Sequence, residues 1–473
     1  MPFMSAHTNI LALAVAPFSL LILLVLVKHP RWSPTLLLLT ATATPWSFGK
    51  GLTPSLVLTG VLAVIACLAM IFGRSPSATV AVTPKRMAAA FAATAVISAL
   101  LGWFAAEQEI LKVIQAEWLP VQLGQLAAIA LGPAAFLVTA RFLTTRRALL
   151  AMIVSYVAIT TFGMMIGLTI QAFEVNLRGL VLTWSAALIL GQLLFNEDLG
   201  KPIRALLVGI LGVTLFVKFA LGLTWVSGWL PTVVAFAVIT AIRWRKSLAV
   251  FAVVAVLGFA YAGDTITADY DREYNESGGS RLNKWTLVTR QPFVQDHLAF
   301  GTGPANYAVY FAVYTPGDRM STHNNYLDIF LQLGLVGISL LFLLLFSVSR
   351  LGLRLSASSM DPFMRAFVRS VLGGVAAVAV AMALGDWFTP FVFNQGLAGF
   401  SWTVQSWIFM GALCAVPVII RNEAPVGSKV QLPVASSPVA IRPLLNAPGL
   451  HRSLFVSTRR SYKTYPPSMR TGR

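Results

Sequence analysis

Long apolar runs separated by short polar connections dominate the sequence. A helix needs about 20 mostly apolar residues to cross the hydrocarbon core of a bilayer. One run, at residues 34–48, is shorter and interrupted by threonines, so it is uncertain whether it spans the bilayer. The pattern predicts an all-α polytopic membrane protein with about 12 to 13 transmembrane helices. The full-length runs are residues 10–27, 54–73, 87–106, 120–139, 148–172, 177–195, 202–223, 227–242, 247–263, 325–349, 363–388 and 396–420.

Composition supports this class. Hydrophobic residues make up 57% of the chain and charged residues 11%, whereas soluble domains carry about 25% charged residues. The net charge of +18 comes from Lys and Arg that cluster in alternate connections and in the C-terminal tail. This distribution follows the positive-inside rule, so the charge indicates topology and no nucleic acid partner is expected.

The same alternation assigns sides to the connections. It places residues 107–118, 173–178, 223–228, 264–322 and 385–395 outside the cytoplasm. The chain then divides into an N-terminal helix bundle (1–263), a large extracytoplasmic loop (264–322), C-terminal transmembrane helices (323–420) and a basic tail (421–473). The tail is rich in Pro and Ser and has little to bury, so we expect it to be disordered and cytoplasmic, close to anionic lipid.

Metal and cofactor signals are weak. The two cysteines, Cys67 and Cys414, both fall within apolar runs, and their spacing is not that of a metal site. Asp269-Tyr-Asp271 has the D-x-D form that many glycosyltransferases use for a metal, but such a tripeptide arises easily by chance in an acidic loop. No P-loop sequence is present. We therefore expect no metal and no cofactor.

The large loop concentrates the candidate chemistry, and loops of this length are usually functional. Arg281 and Trp285 are spaced as on an amphipathic helix lying at the membrane surface. At the end of the loop, Ser321 and Thr322 are residue types that cap helices, which predicts that His323 lies in the first turn of the next helix. The positive end of the helix dipole disfavours an imidazolium there. The imidazole would therefore tend to stay neutral, as a general base must be.

These pieces together resemble the signature region of the O-antigen ligase and polymerase superfamily. The resemblance implies a GT-C-like fold in the inner (plasma) membrane and metal-independent, inverting transfer of a glycan from an undecaprenyl diphosphate carrier to an acceptor hydroxyl. It also implies that His323 is the base and that Arg281 binds the diphosphate. The motif pieces are Gly279-Ser-Arg281-x-x-x-Trp285, Gly301-x-Gly303-x-x-Asn306, His323-Asn-x-x-Leu327 and Gly334-x-x-Gly337.

One departure concerns the diphosphate site. Family members usually carry a Ser-Arg-Gly segment at the outer start of an earlier span, and the corresponding stretch here, residues 224–229, contains no arginine. Lys218 lies in the preceding span, where a lysine is costly unless it is paired or functional. We hypothesise that Lys218 supplies the missing charge, although it could equally snorkel to the interface.

Four further residues are candidates with competing structural interpretations. Arg281 could be an interfacial anchor beside Trp285, and Arg290 could be a solvated loop charge or part of an anion site. Asp328 should face the bundle interior, because a lipid-facing carboxylate is unfavourable, and there it could position other groups. Asp386 could bind sugar hydroxyls or simply end a helix in water.

The sequence is also compatible with other activities of this kind of membrane protein. A repeat-unit polymerase and a protein O-oligosaccharyltransferase would use the same kind of donor with another acceptor. A flippase or exporter of lipid-linked glycan is the alternative from another class, with the loop acting as a lid. The low number of ionisable residues inside the spans favours the enzyme.

Overall fold

Helices form where the apolar runs predict them, and polar segments connect them. The computed structural model describes residues 26, 28–43, 51–71, 81–104, 118–169, 179–221, 226–253, 256, 281–314 and 322–424. All of them belong to one unit, Met1–Leu432. The predicted spans at 10–27 and 247–263, the tail beyond residue 424 and the Asp269-Tyr-Asp271 tripeptide lie wholly or largely outside the described residues.

The described elements are helical, with no β-strand among them. The N-terminal helices are α1 (Ser33–Ala43), α2 (Pro54–Ile71), α3 (Val82–Phe104), α4 (Trp118–Phe142), α5 (Arg146–Thr169), α6 (Val181–Phe195), α7 (Lys201–Phe216) and α8 (Val226–Arg243). The loop region contains α9 (Arg281–Thr289), α10 (Pro292–Asp296) and α11 (Asn306–Tyr314), and the chain continues with α12 (Asn325–Ser356), α13 (Pro362–Leu384), α14 (Val392–Gln395) and α15 (Phe400–Glu423).

Eight of these helices are long and apolar enough to cross a membrane, and Pro54–Ala69 and Val181–Phe195 are shorter apolar helices. The prediction of an all-α polytopic membrane protein is therefore confirmed. The shorter run at 34–48 forms the 11-residue helix α1. The total of 12 to 13 spans stays a prediction. At the end of the chain, α15 continues to Glu423, so the residues from 421 to 423 are helical and not part of the predicted tail.

Helix α15 lies at the centre of the bundle. In its apolar segment 89% of the residues are buried, compared with 11% in the segment Lys201–Phe219 that contains α7. Polar groups on α15 pair inside the core, as where Trp184 Nε1 donates to Ser406 Oγ at 2.9 Å. Helix α7 instead exposes large apolar side chains such as Leu206 and Phe216, as expected of a helix that faces lipid.

Candidate functional site

A break in α12 shapes the region around the motif residues. Gly334 has φ 68° and ψ −165°, which interrupts the helix about 13 Å from its start at Asn325. A break at this depth frees backbone groups that no water in a bilayer core can satisfy. The protein must therefore supply partners for them.

The segment from Leu298 to Gly303 supplies these partners. Thr302 N and Gly303 N donate to the carbonyls of Leu331 and Gln332, at 2.9 and 3.1 Å, before the break. Beyond the break, Leu335 N and Val336 N donate to the carbonyls of Leu298 and Ala299, at 2.8 and 3.1 Å. The predicted outer loop thus contains a segment that pairs with α12 deep below its end.

This backbone pairing explains the glycine motif. Gly301 has φ 70°, and a Cβ on it would lie 2.3 Å from the carbonyl carbon of Gln332. A Cβ on Gly334 would lie 2.4 Å from the carbonyl carbon of Ala299. Asn306 Nδ2 closes the turn by donating to Thr302 O at 2.8 Å. The Gly301-x-Gly303-x-x-Asn306 segment therefore has a structural role, which places α11 against α12.

His323 lies at the start of α12, but not in its first turn as predicted. Asn324 is the N-cap, and its side chain accepts hydrogen bonds from Tyr326 N and Leu327 N. His323 precedes the cap and has φ 53°, in the left-handed region. The predicted capping residue Thr322 is engaged elsewhere, since its hydroxyl lies 2.7 Å from Asp328 Oδ1. His323 thus lies just outside the helix, and the predicted effect of the helix dipole on it stays a prediction.

A buried carboxylate lies beside His323. Asp386 Oδ2 lies 3.6 Å from His323 Nδ1; the histidine side chain is 23% exposed and the aspartate side chain 1% exposed. Asp386 follows α13, and Asn394 Nδ2 donates to its Oδ2 at 3.2 Å. Gln395 Nε2 donates to its backbone carbonyl at 3.3 Å. Asp386 thus has protein partners that hold it towards the histidine.

Asn325 brings these two segments together. Its Oδ1 accepts hydrogen bonds from Phe388 N at 2.8 Å and Thr389 N at 3.3 Å. Its Nδ2 donates to Thr389 O at 2.8 Å. A buried amide at the first residue of α12 therefore fastens the segment after α13 beside His323. The consecutive residues His323, Asn324 and Asn325 thus differ in their contacts: His323 faces Asp386, Asn324 caps α12, and Asn325 holds the segment after α13.

Asp328 lies one turn into α12 and faces inward, as predicted, with 1% exposure. Its Oδ1 accepts hydrogen bonds from the Tyr307 hydroxyl, from Thr322 N at 3.1 Å and from Thr322 Oγ1. Its carboxyl also contacts that of Asp386. Tyr307 and Asn325 were not among the predicted site residues. Their only signal in the sequence is their position directly after motif residues.

Lys218 lies in a separate part of the bundle. It falls within a π-helical stretch, Val217–Leu221, that continues α7, and it is buried with 7% exposure. Its Nζ donates to Thr183 Oγ1 at 2.9 Å in the first turn of α6, and Thr183 is bonded to Thr232. The structure thus gives Lys218 a hydroxyl partner and does not pair it with Asp386.

The outer end of α6 connects the two regions. Gly179, which precedes α6, is packed against the ring of Trp387, so closely that a Cβ there would lie 2.8 Å from the ring. Trp387 directly follows Asp386 in the chain, and Thr183 is one helical turn beyond Gly179. Lys218 and the His323–Asp386 pair are therefore at the same end of the bundle, which we call the site end.

The two candidate arginines belong to α9. Trp285 Nε1 donates to Thr322 O at 2.7 Å, which ties this helix to the residue before His323. Arg281 begins α9, four residues before Trp285, and its side chain lies outside the described part of the chain. Arg290 follows the helix and is exposed. The predicted amphipathic helix is thus present and docked beside the histidine.

Within the described part of the chain, no three His, Cys, Asp or Glu side chains are grouped so that they could hold a metal ion. The chemistry that the described residues offer is that of a histidine beside a buried carboxylate, with a lysine and a docked basic helix at the same end.

These features define the class as a polytopic α-helical membrane protein with a histidine–aspartate site at one end of its bundle. Residues 209–342, which run from α7 into α12, match the O-antigen ligase family. This match confirms the resemblance to the O-antigen ligase and polymerase superfamily, a family of membrane glycosyltransferases. It includes Lys218, Arg281, His323 and Asp328, and ends before Asp386. No curated protein matches the chain.

Proposed function

We propose that this protein transfers a glycan from an undecaprenyl diphosphate carrier to an acceptor hydroxyl, with His323 as the general base. The observation that carries the proposal is the pair formed by His323 and the buried Asp386, 3.6 Å apart, in a chain with an O-antigen ligase match. A carboxylate this close stabilises the imidazolium that forms when the base takes a proton.

The reaction follows from this arrangement. Nδ1 of His323 faces Asp386, and we assign the other ring nitrogen, Nε2, to the acceptor hydroxyl. As Nε2 takes the hydroxyl proton, the acceptor oxygen bonds to the anomeric carbon, and the bond from that carbon to the diphosphate oxygen breaks. The electron pair leaves with undecaprenyl diphosphate, and the configuration inverts. Positive side chains near the diphosphate would stabilise its developing charge.

We assign Arg281 and Lys218 to the diphosphate. Arg281 begins the helix that Trp285 fastens to Thr322, and arginine suits phosphate because its planar donor fork matches the oxygens. Lys218 is a buried lysine at the site end whose Nζ donates to a threonine hydroxyl, and a bound diphosphate would favour its charged form. Arg290, exposed after α9, could extend the anion site. Asp386, which the sequence suggested as a sugar ligand, acts here on His323.

The sidedness of the site is also a proposal. At the end of the bundle opposite the site end, the start of α5 meets the end of α15, where Arg146 N donates to Glu423 at 2.7 Å. Arg146 also lies 3.5 Å from Asp361, which precedes α13. These junctions contain many of the arginines, so the positive-inside rule assigns them to the cytoplasm. The site end and the glycan donor then lie on the extracytoplasmic side of the inner membrane.

Reconstitution of the purified full-length protein into proteoliposomes would test the activity. The vesicles receive an undecaprenyl-diphosphate-linked glycan and a lipid-anchored glycan acceptor. We expect donor consumption, one glycan added per acceptor, and release of undecaprenyl diphosphate. Longer glycan on the carrier without acceptor product would instead indicate a polymerase. Movement of intact donor across the bilayer without transfer would contradict an enzymatic function.

Lys218 offers a test of the diphosphate assignment. Lys218→Met removes the charge and keeps the length of the side chain, and we expect donor affinity to fall about 10- to 100-fold because charge-assisted hydrogen bonds contribute about 1.5–3 kcal/mol. Lys218→Arg should retain activity. The measurement is the dependence of the transfer rate on donor concentration. Thr183→Val is the matched control, since it removes the hydroxyl partner of Nζ and keeps the lysine. An unchanged donor KM in Lys218→Met would remove this residue from the site.

A further inference from the structure

The two buried aspartates of the site lie against each other. Asp328 and Asp386 are 1% and 2% exposed; Asp328 is on α12 and Asp386 follows α13, and their carboxyls are within hydrogen-bonding contact. A carboxylate oxygen can only accept hydrogen bonds. Two ionised carboxylates in contact would also repel strongly in a medium of low dielectric constant.

The hydrogen bonds to Asp328 are unequally divided between its two oxygens. Its three described hydrogen-bond donors, one from Tyr307 and two from Thr322, all donate to Oδ1. Its Oδ2 is buried and receives no described donor. Among the described side chains that contact Asp328 there is no lysine or arginine. The contact with Asp386 is therefore the place where a proton would satisfy Oδ2.

Among the described contacts, two other ionisable groups lie around the pair, His323 and Tyr307. Asp328 faces Tyr307 on α11 and Asp386 after α13, and Asp386 faces Asp328, His323 and Tyr307. Burial raises the pKa of the Tyr307 hydroxyl, and the neighbouring Asp328 raises it further. Tyr307 therefore keeps its proton and acts as a donor to Asp328 Oδ1.

We propose that Asp328 and Asp386 share a single proton, and that Asp328 carries it, donating from Oδ2 to Asp386, whenever His323 is positively charged. One proton between the carboxyls removes their repulsion and supplies the missing hydrogen bond. The imidazolium at 3.6 Å draws the single negative charge onto Asp386.

The shared proton has a consequence for catalysis, which rests on the proposed function. With one proton in the pair, His323 faces one negative charge and not two. The single negative charge lies on Asp386, opposite Nδ1 of His323, where it stabilises the imidazolium that forms when the base takes the acceptor proton. In this role Asp328 is a positioning residue that acts through Asp386 and does not touch the substrate.

Infrared spectroscopy of the purified full-length protein at neutral pH tests the proton directly, without substrate. The wild-type protein should show the carbonyl stretch of a protonated carboxyl group, and this band should be missing from the spectrum of Asp328→Asn. Asp296→Asn, at the exposed last residue of α10, is the matched control and should leave the band in place. A band that survives in Asp328→Asn would overturn the proposal.

Transfer assays on the same variants test the catalytic consequence. The amide of Asp328→Asn can donate to Asp386 and accept from Tyr307 and Thr322, so it imitates the protonated carboxyl. We expect it to lose less than about tenfold in rate, whereas Asp328→Ala and Asp386→Asn should each lose about 100-fold or more. Equal losses in Asp328→Asn and Asp386→Asn, in proteins that are folded by size-exclusion chromatography, would contradict the assignment of charge.

The two readouts separate the two proposals. A wild-type protein that shows the carboxyl band but transfers no glycan would overturn the proposed function and leave the shared proton intact. A wild-type protein that transfers glycan and lacks the band would overturn the shared proton and leave the proposed function intact.

Discussion

Replacement of His323 by asparagine is expected to abolish glycan transfer, with a rate loss of about 100- to 10,000-fold, the range that general base catalysis contributes. Asparagine is the informative substitution because His323 has φ 53°, and asparagine tolerates the left-handed region better than alanine does. The variant therefore removes the base while keeping the backbone of the turn. Donor consumption and acceptor product in proteoliposomes are the measurements.

The interpretation of that loss depends on controls for folding. His323→Ala should be equally inactive, but its protein yield could fall because alanine is strained at this φ. His29→Ala is the matched control, since His29 is exposed and its side chain caps no helix; it should transfer glycan at the wild-type rate. In cells, both His323 variants should accumulate lipid-linked donor. Wild-type transfer by His323→Asn would rule out the histidine as the base.

Substitution of Gly334 by alanine is expected to reduce stability by about 3 kcal/mol or more, since overpacking costs about 1–3 kcal/mol and a left-handed backbone adds about 1–2 kcal/mol for residues with a Cβ. The Cβ would lie 2.4 Å from both backbone atoms of the Ala299 carbonyl. The backbone of Ala299 cannot move away without breaking the hydrogen bonds between residues 298–303 and α12, which satisfy the backbone groups at the break. Gly301→Ala should behave in the same way, because its Cβ would meet the backbone of Gln332.

Thermal unfolding in detergent, followed by size-exclusion chromatography, would measure this effect. Gly209→Ala is the matched control: Gly209 is in the lipid-facing helix α7, and a Cβ there meets nothing within 4 Å. It should melt at or slightly above the wild-type temperature, because alanine has the higher helix propensity. If Gly334→Ala melts like Gly209→Ala, the tight backbone crossing is not required for the fold.

The motif residues illustrate how far sequence reasoning reached. The helical spacing of Arg281 and Trp285 predicted the helix that α9 forms, and the inward direction of Asp328 followed from the cost of a carboxylate in lipid. The cap of α12 was predicted wrongly, because Thr322 and Asn324 are both good capping residues. Asn324 is the cap because the hydroxyl of Thr322 is hydrogen-bonded to Asp328. Statistical capping preferences do not take account of such a tertiary contact.

The pairing of His323 with Asp386 shows a different limit. Both residues were candidates, but they are far apart in the chain, and nothing in local spacing relates them. Their contact depends on Asn325, whose amide fixes the backbone of Phe388 and Thr389. Gly301 and Gly334 were likewise recognised in the sequence only as parts of a motif. Their role at the break of α12 depends on the pairing of two backbone segments that are distant in the sequence.

The sequence by itself determined that this is an α-helical membrane protein and where most of its described helices lie. The physical reason is that a bilayer demands apolar helices of a set length, and such runs are visible in one dimension. Only the tertiary structure decided which polar groups meet at the site end. Buried polar groups choose partners by geometry, and those partners, Asp386 for His323 and Asp328 for Asp386, come from helices that only folding brings together.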